Sequence, residues 1–215
     1  MTVYNDSLSQ YITDLFAAQD DGLRHALEDS PKQGLPAISV KPEEGRFLQF
    51  LVRTCGVRQA VEIGTLGGYS GIWIARGLLP GGQLITLERE PRHAAVAREH
   101  FEAAGVADRV EIRIGDALET IRSLSAEGPF DFVFIDAEKS GYRAYFDWAL
   151  ANVRIGGVIA AHNAFRHGAL VDPHNTEADT EAMRAFNRRV ASEPRVISTI
   201  YPGGDGMVIA IKNVE

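Results

Sequence analysis

Apolar positions along the chain change period once. Near the N-terminus they recur at helical spacing. Leu8, Tyr11, Ile12, Leu15 and Phe16 form one stripe behind a cap expected at Asp6. Phe47, Leu48, Leu51 and Val52 form another, in a helix opened by Pro42-Glu43-Glu44 and stopped at Gly56. The segment between, 29–42, carries three prolines and reads as a loop. From Ala60 on, short apolar runs alternate with helical patterns. Strands are expected up to Ile63 and over 84–88, 110–114, 130–135, 157–161, 196–201 and 206–212. Helices are expected from Ser70, over 91–104, from about 117, around 141–150 and over 177–191. Such alternation predicts an α/β fold, a mostly parallel sheet with helices on both faces. The runs 132–135 (FVFI) and 158–161 (VIAA) are continuously apolar, as central strands are. By contrast, 110–114 (VEIRI) alternates, as an edge strand does. The five residues 202–206 (PGGDG) are too short for a crossover, so the last two strands pair as an antiparallel hairpin.

At 215 residues the chain is expected to be one domain, with a helical segment over 1–56 and the α/β core over 57–215. Hydrophobic content of 45% and 24% charged residues are ordinary for a globular protein. A net charge of −7 argues against nucleic-acid binding, which needs a basic surface. No apolar run approaches the ~20 residues of a membrane span, and no basic segment leads into an apolar stretch at the N-terminus, so no membrane or secretion role is expected. The lone cysteine, Cys55, suits a cytoplasmic protein and falls in the Phe47–Val52 stripe, where it reads as a small core residue.

The most informative stretch is 61–70, VEIGTLGGYS. An apolar strand ends in Glu62, then a glycine-rich turn opens into a helix, where backbone N–H groups and the helix start favour a ligand. The next strand ends in Glu88, placed to accept ribose hydroxyls. A dinucleotide fingerprint would need glycines at 66 and 69; Leu66 and Tyr69 stand there, which disfavours a dinucleotide oxidoreductase. Glu62 would repel a pyrophosphate and welcome an ammonium. A ligand with a cationic amino acid at one end and a ribose at the other is S-adenosylmethionine (SAM). Further polar strand ends follow at Asp116, Asp136 and His162-Asn163. Asp116 is a helix cap, a contact to adenine, or both; Ser70 is a cap or a ligand to the methionine carboxylate. Asp136 with Asn163 is a structural pair or, with His162, a metal site. Lys139, three residues past Asp136, is a surface lysine or a general base. His93 and His100 read as surface residues on a helix, and His167 and His174 as loop residues that can at most add a late ligand.

These stretches, with 108–118 (DRVEIRIGDAL), 130–142 (FDFVFIDAEKSGY) and 156–165 (GGVIAAHNAF), resemble the class I SAM-dependent methyltransferases, specifically the cation-dependent O-methyltransferases that include catechol and caffeoyl-CoA O-methyltransferases. The resemblance implies a Rossmann-like seven-stranded sheet with extra N-terminal helices and a homodimer. It also implies roles. Val40, Glu62, Gly64, Thr65 and Ser70 would hold the methionine end, Glu88 the ribose, Asp116 and Ala117 the adenine. Asp136 would bind cofactor and metal together with His162 and Asn163, and Lys139 would be the catalytic lysine. The acceptor would be a small aromatic with vicinal hydroxyls, its choice set by 29–41 and 164–167.

One departure stands out: the family's second metal-bearing strand usually ends Asp-Asn, and here it ends His162-Asn163. A nitrogen in the shell shifts preference from magnesium toward manganese, iron, cobalt, nickel or zinc, weakens cation binding, or marks a chain that has dropped its metal. A SAM-binding member without catalysis is the remaining reading.

Overall fold

The computed structural model describes residues 4–214. Three helices precede the sheet: α1 (Asp6–Phe16), α2 (Asp21–Lys32) and α3 (Pro42–Thr54). Strands and helices then alternate as β1 (Gln59–Ile63), α4 (Tyr69–Gly77), β2 (Gln83–Glu88), α5 (Pro91–Ala103), β3 (Val110–Ile114), α6 (Ala117–Leu124), β4 (Phe130–Ile135), α7 (Tyr142–Asn152), β5 (Val153–Ala161), α8 (Ala178–Ala191), β6 (Val196–Tyr201) and β7 (Met207–Lys212). The seven strands run in the order β3-β2-β1-β4-β5-β7-β6. All pairings are parallel except those of β7, which is antiparallel to both β5 and β6. The alternating strand β3 is an edge, and the apolar runs of β4 and β5 lie at the centre, as their patterns predict.

Three expectations at the N-terminus need correction. Asn5, not Asp6, caps α1, its side chain accepting from Leu8 N at 3.1 Å. The segment expected as a loop from 29 begins instead inside α2, which starts at an Asp20 cap and carries Pro31 in its last turn. There the missing N–H removes only one terminal bond, while Leu23, Ala26 and Ser30 bury the inner face. The α1 stripe is only partly covered: Tyr11, Leu15 and Phe16 are 61%, 58% and 65% exposed. Buried Glu43 ties α1 to α3, accepting from Ser9 Oγ, Tyr4 OH (2.7 Å) and Thr13 Oγ1 (3.1 Å).

The sheet separates two cores. One joins α2, α3, α4 and α5 around Trp73 and Phe101; the other joins α7 and α8 around Tyr142, Phe146 and Phe186. Cys55 sits partly buried at the end of α3 against the first core, as expected. Helix α3 seats on α4 through Gly45, where a Cβ would overlap the Trp73 ring. Gly→Ala in a helix ordinarily gains ~1 kcal/mol, whereas overfilling a packed seat costs about 1–3 kcal/mol. Gly45→Ala should therefore lower the urea midpoint; an unchanged or raised midpoint would contradict the close α3–α4 seat.

Candidate active site

Parallel strands of an open sheet present their carboxyl ends to one crevice. Here the loop backbones prolong the ladder: Gly64 N donates to Leu87 O at 3.0 Å, Asp136 N to Ile63 O at 2.9 Å, and His162 N to Ile135 O at 3.0 Å. That register sets the glycine turn, Asp136 and His162 side by side. They line a cleft of about 680 Å³ together with Val40, Thr65, Ser70, Lys139 and Asn163. The 37–41 segment and Arg166 and His167 close its other walls, where substrate choice was expected. Gly64 is required at its position, because it has φ +103° and a side chain there would strike the Asp136 carbonyl.

The expected cofactor residues divide in two. Val40, Gly64, Thr65, Ser70 and Asp136 line the cleft; Glu62, Glu88, Asp116 and Ala117 do not. Glu62 is fully buried, accepting from Ser70 Oγ and Thr86 Oγ1 at 2.6 Å each, with Thr65 Oγ1 2.6 Å from Thr86 Oγ1. Burial pushes its carboxyl up to about 7 against those hydrogen bonds. Ser70 is not the helix cap, since α4 starts one residue earlier behind Gly68. Glu88 accepts from Leu66 N at 2.8 Å and Glu90 N at 2.9 Å. Leu66, which replaces a fingerprint glycine, adopts φ +49°. That left-handed backbone costs an L-residue roughly 1–2 kcal/mol, offset by the charge-assisted bond to Glu88. Asp116 is exposed and caps α6, accepting from Glu119 N at 3.1 Å.

On the acceptor side Lys139 is partly buried, its Nζ donating to Ala137 O (2.9 Å), Tyr142 OH (2.8 Å) and Asp136 Oδ1 (3.5 Å). Burial pulls its pKa below the usual lysine value, opposed by Asp136.

His162 Nδ1 is 3.2 Å from Asp136 Oδ2, and Nε2 is 2.9 Å from Glu44 Oε1. Burial alone would discharge the ring, but Asp136 and Glu44 raise its pKa to about 10. His162 is thus an imidazolium between two carboxylates. Asn163, at φ +59°, turns its amide nitrogen to Asp205 Oδ2 at 3.0 Å. The residues expected to hold a divalent cation do not fit one in this arrangement. Both imidazole nitrogens carry carboxylate partners, and a cation there would face the imidazolium charge.

Glu44 and Asp205 were missed by sequence reasoning. Glu44 lies four residues before Leu48, on the buried face of α3, which was the available signal. Its other oxygen accepts Lys41 N at 2.9 Å. Asp205 sits in the hairpin turn and gave no signal beyond turn chemistry. The other histidines also differ from expectation. His100 is buried, with Nδ1 2.7 Å from Gly67 O, and His93 is half-buried with Nδ1 3.5 Å from Glu88 Oε1. His167 lines the cleft, whereas His174 does not. Both lie on the loop side, where their indole-free surroundings leave them apart from the Asp136–Glu44 bridge.

A glycine turn, a series of acidic strand ends and a buried lysine at the mouth of a seven-stranded mixed sheet define a SAM-dependent methyltransferase. Comparison with known proteins agrees: the family model described as O-methyltransferase matches residues 16–213. The chain is 43% identical over 213 residues to a catechol O-methyltransferase of Niastella koreensis, covering 96% of each sequence. It is 40% identical to a catechol O-methyltransferase of Mycobacterium tuberculosis, covering 94% of this chain and 93% of that one. An O-methyltransferase from Bacillus cereus, solved in complex with SAH, superposes with a TM-score of 0.90 at 42% identity, over 96% of this chain and 97% of that one. The chain belongs to this O-methyltransferase family and is a SAM-dependent enzyme. No helix among the described residues is long and apolar enough to cross a membrane.

The charge state of Glu62 gives a pH test. Its folded-state value, about 7, lies above the ordinary 4.5, so the fold binds its proton more tightly than the unfolded chain does. The Glu62 contribution is therefore complete below about pH 4.5 and is lost as pH rises to about 7, by on the order of 3 kcal/mol. Stability of the wild type minus that of Glu62→Gln, from urea melts, should fall across that window and level above it. A flat difference would show that Glu62 is ionised throughout.

Proposed function

We propose that this enzyme methylates one hydroxyl of a small aromatic acceptor with vicinal hydroxyls, with Lys139 as general base and without a required divalent cation. The observation that carries the reading is the placement of Lys139 Nζ and the His162–Asp136–Glu44 bridge on the wall of the cleft facing the glycine turn. The catechol O-methyltransferase names of the two relatives above support the acceptor class.

In this reading the methionine end of SAM lies against Gly64, Thr65, Ser70 and Asp136, with Val40 opposite. Glu88 uses its remaining lone pairs for the ribose, and Asp116 with Ala117 borders the adenine. Lys139 must shed a proton first. Its bond to Asp136 is the longest of the three, so that one gives way and leaves a lone pair facing the acceptor. Lys139 Nζ takes the hydroxyl proton, the phenolate oxygen attacks the methyl carbon, and the carbon–sulfur bond breaks with its electron pair passing to sulfur, releasing a neutral thioether. Alignment of oxygen, carbon and sulfur supplies most of the acceleration, on the order of 7–11 kcal/mol when reactants are well held. The fixed positive charge of His162 steadies the second hydroxyl or the developing phenolate, the service a divalent cation would otherwise give. The exposed row Tyr11, Leu15 and Phe16 on α1 supports a homodimer through that helix; light scattering should give twice the chain mass, and Leu15→Asp with Phe16→Asp should halve it.

Two measurements test the chemistry. Lys139→Ala should lower kcat on a catechol by about 10²–10⁴-fold with SAM affinity kept, and by less on phenols that are already acidic. An equal loss for all phenols would reduce Lys139 to positioning. Chelator-treated enzyme should keep its turnover. Loss of activity restored by manganese, cobalt or magnesium would instead assign a cation to Asp136, His162 and Asn163, with His162 freed from Glu44.

A further inference from the structure

Away from the cleft, helices α2 and α5 bring together His25, Asp29 and His100, one ligand atom of each lying within 4.8 Å of the others. Among the described residues this is the one such group of three histidine, cysteine, aspartate or glutamate side chains. His25 and Asp29 are four residues apart on α2 and so share a face. His100 comes across from α5, with its ring 5.2 Å from that of His25, edge to face.

Two details favour an ion over a hydrogen-bond cluster. His100 Nδ1 lies 2.7 Å from the Gly67 carbonyl and must donate to it, which leaves Nε2 as the outward nitrogen. A histidine whose second nitrogen donates to a backbone carbonyl is the form that ligates metals. Nε2 then faces Asp29 Oδ2 at 3.4 Å, long for a hydrogen bond. Two ligand atoms each about 2.0–2.1 Å from a tetrahedral ion are separated by about 3.4 Å. We propose that His25, Asp29 and His100 form a binding site for a zinc-class divalent cation, with solvent as the fourth ligand. Two imidazoles and one carboxylate suit zinc, cobalt or nickel over magnesium or calcium.

The position gives the site a consequence. Gly67 belongs to the cofactor turn, and a cation on Nε2 strengthens the Nδ1–H bond to its carbonyl. The ion would pin α2 to α5 behind the turn, as a structural clamp with no part in methyl transfer.

The test uses the full chain, stripped with chelator and titrated with zinc chloride by calorimetry and with cobalt(II) by visible absorption. His25 is exposed, so His25→Ala should fold normally, checked by circular dichroism; Asp29→Asn is the second variant. The wild type should bind one equivalent that both variants bind at least tenfold more weakly. Its cobalt form should show the intense bands of a tetrahedral site, absent from His25→Ala. Zinc should raise the Tm of the wild type and not that of His25→Ala. Equal zinc affinity and stoichiometry in wild type and His25→Ala would overturn the proposal, as would a wild type that binds no zinc.

Discussion

The constraint on which the rest of this site depends is the burial of carboxylates. Glu44, Glu62 and Glu88 are nearly inaccessible and Asp136 is partly so, all at the carboxyl ends of β1, β2 and β4 or pressed against them. Four anions in so small a volume cannot stand without compensation. The chain solves the problem differently at each. Glu62 takes two hydroxyl donors and a raised proton affinity; Glu88 takes two backbone N–H groups, one from a left-handed leucine; Glu44 and Asp136 share His162, with Lys139 closing on Asp136. Each solution also builds part of the cleft.

This places strain as well as charge. The left-handed non-glycine residues fall at Leu66 in the cofactor turn and at Asn163, Arg166 and His167 in the loop that faces it. Such conformations persist where surroundings over-determine them. Here the surroundings are the Glu88 carboxylate on one side and Asp205 on the other, with Asp205 holding the Asn163 amide and the His167 N–H. The hairpin that closes the sheet, β6–β7, thus supports the acceptor loop through its turn.

Much of this was legible in the chain because it is local. A continuous run such as FVFI can only be a covered strand, VEIRI only a half-covered one, and a strand ending in Glu before a glycine turn states the cofactor's polarity. The missing glycines at 66 and 69 excluded a dinucleotide without any structure. What stayed hidden depends on contacts distant in sequence. Glu44 meets His162 across 118 positions, and His100 meets Gly67 across 33. An amphipathic pattern reports which face of α3 is buried but not what it is buried against, so Glu44 read as a helix start. His162 likewise read as a neutral ligand because its two carboxylate partners come from separate elements. The three-proline segment misled for a local reason: Pro31 falls in a last helical turn, where its missing N–H is tolerated.

The central claim is that His162 is a cation held between Asp136 and Glu44. An NMR titration of the ring nitrogens in the metal-free enzyme tests it most directly, with His162 assigned by comparison with His162→Gln. An unperturbed imidazole is neutral at about pH 8. The account predicts that both nitrogens of His162 remain protonated there, consistent with a pKa raised to about 10. A single neutral tautomer at that pH, with one nitrogen unprotonated and open to a metal, would contradict it.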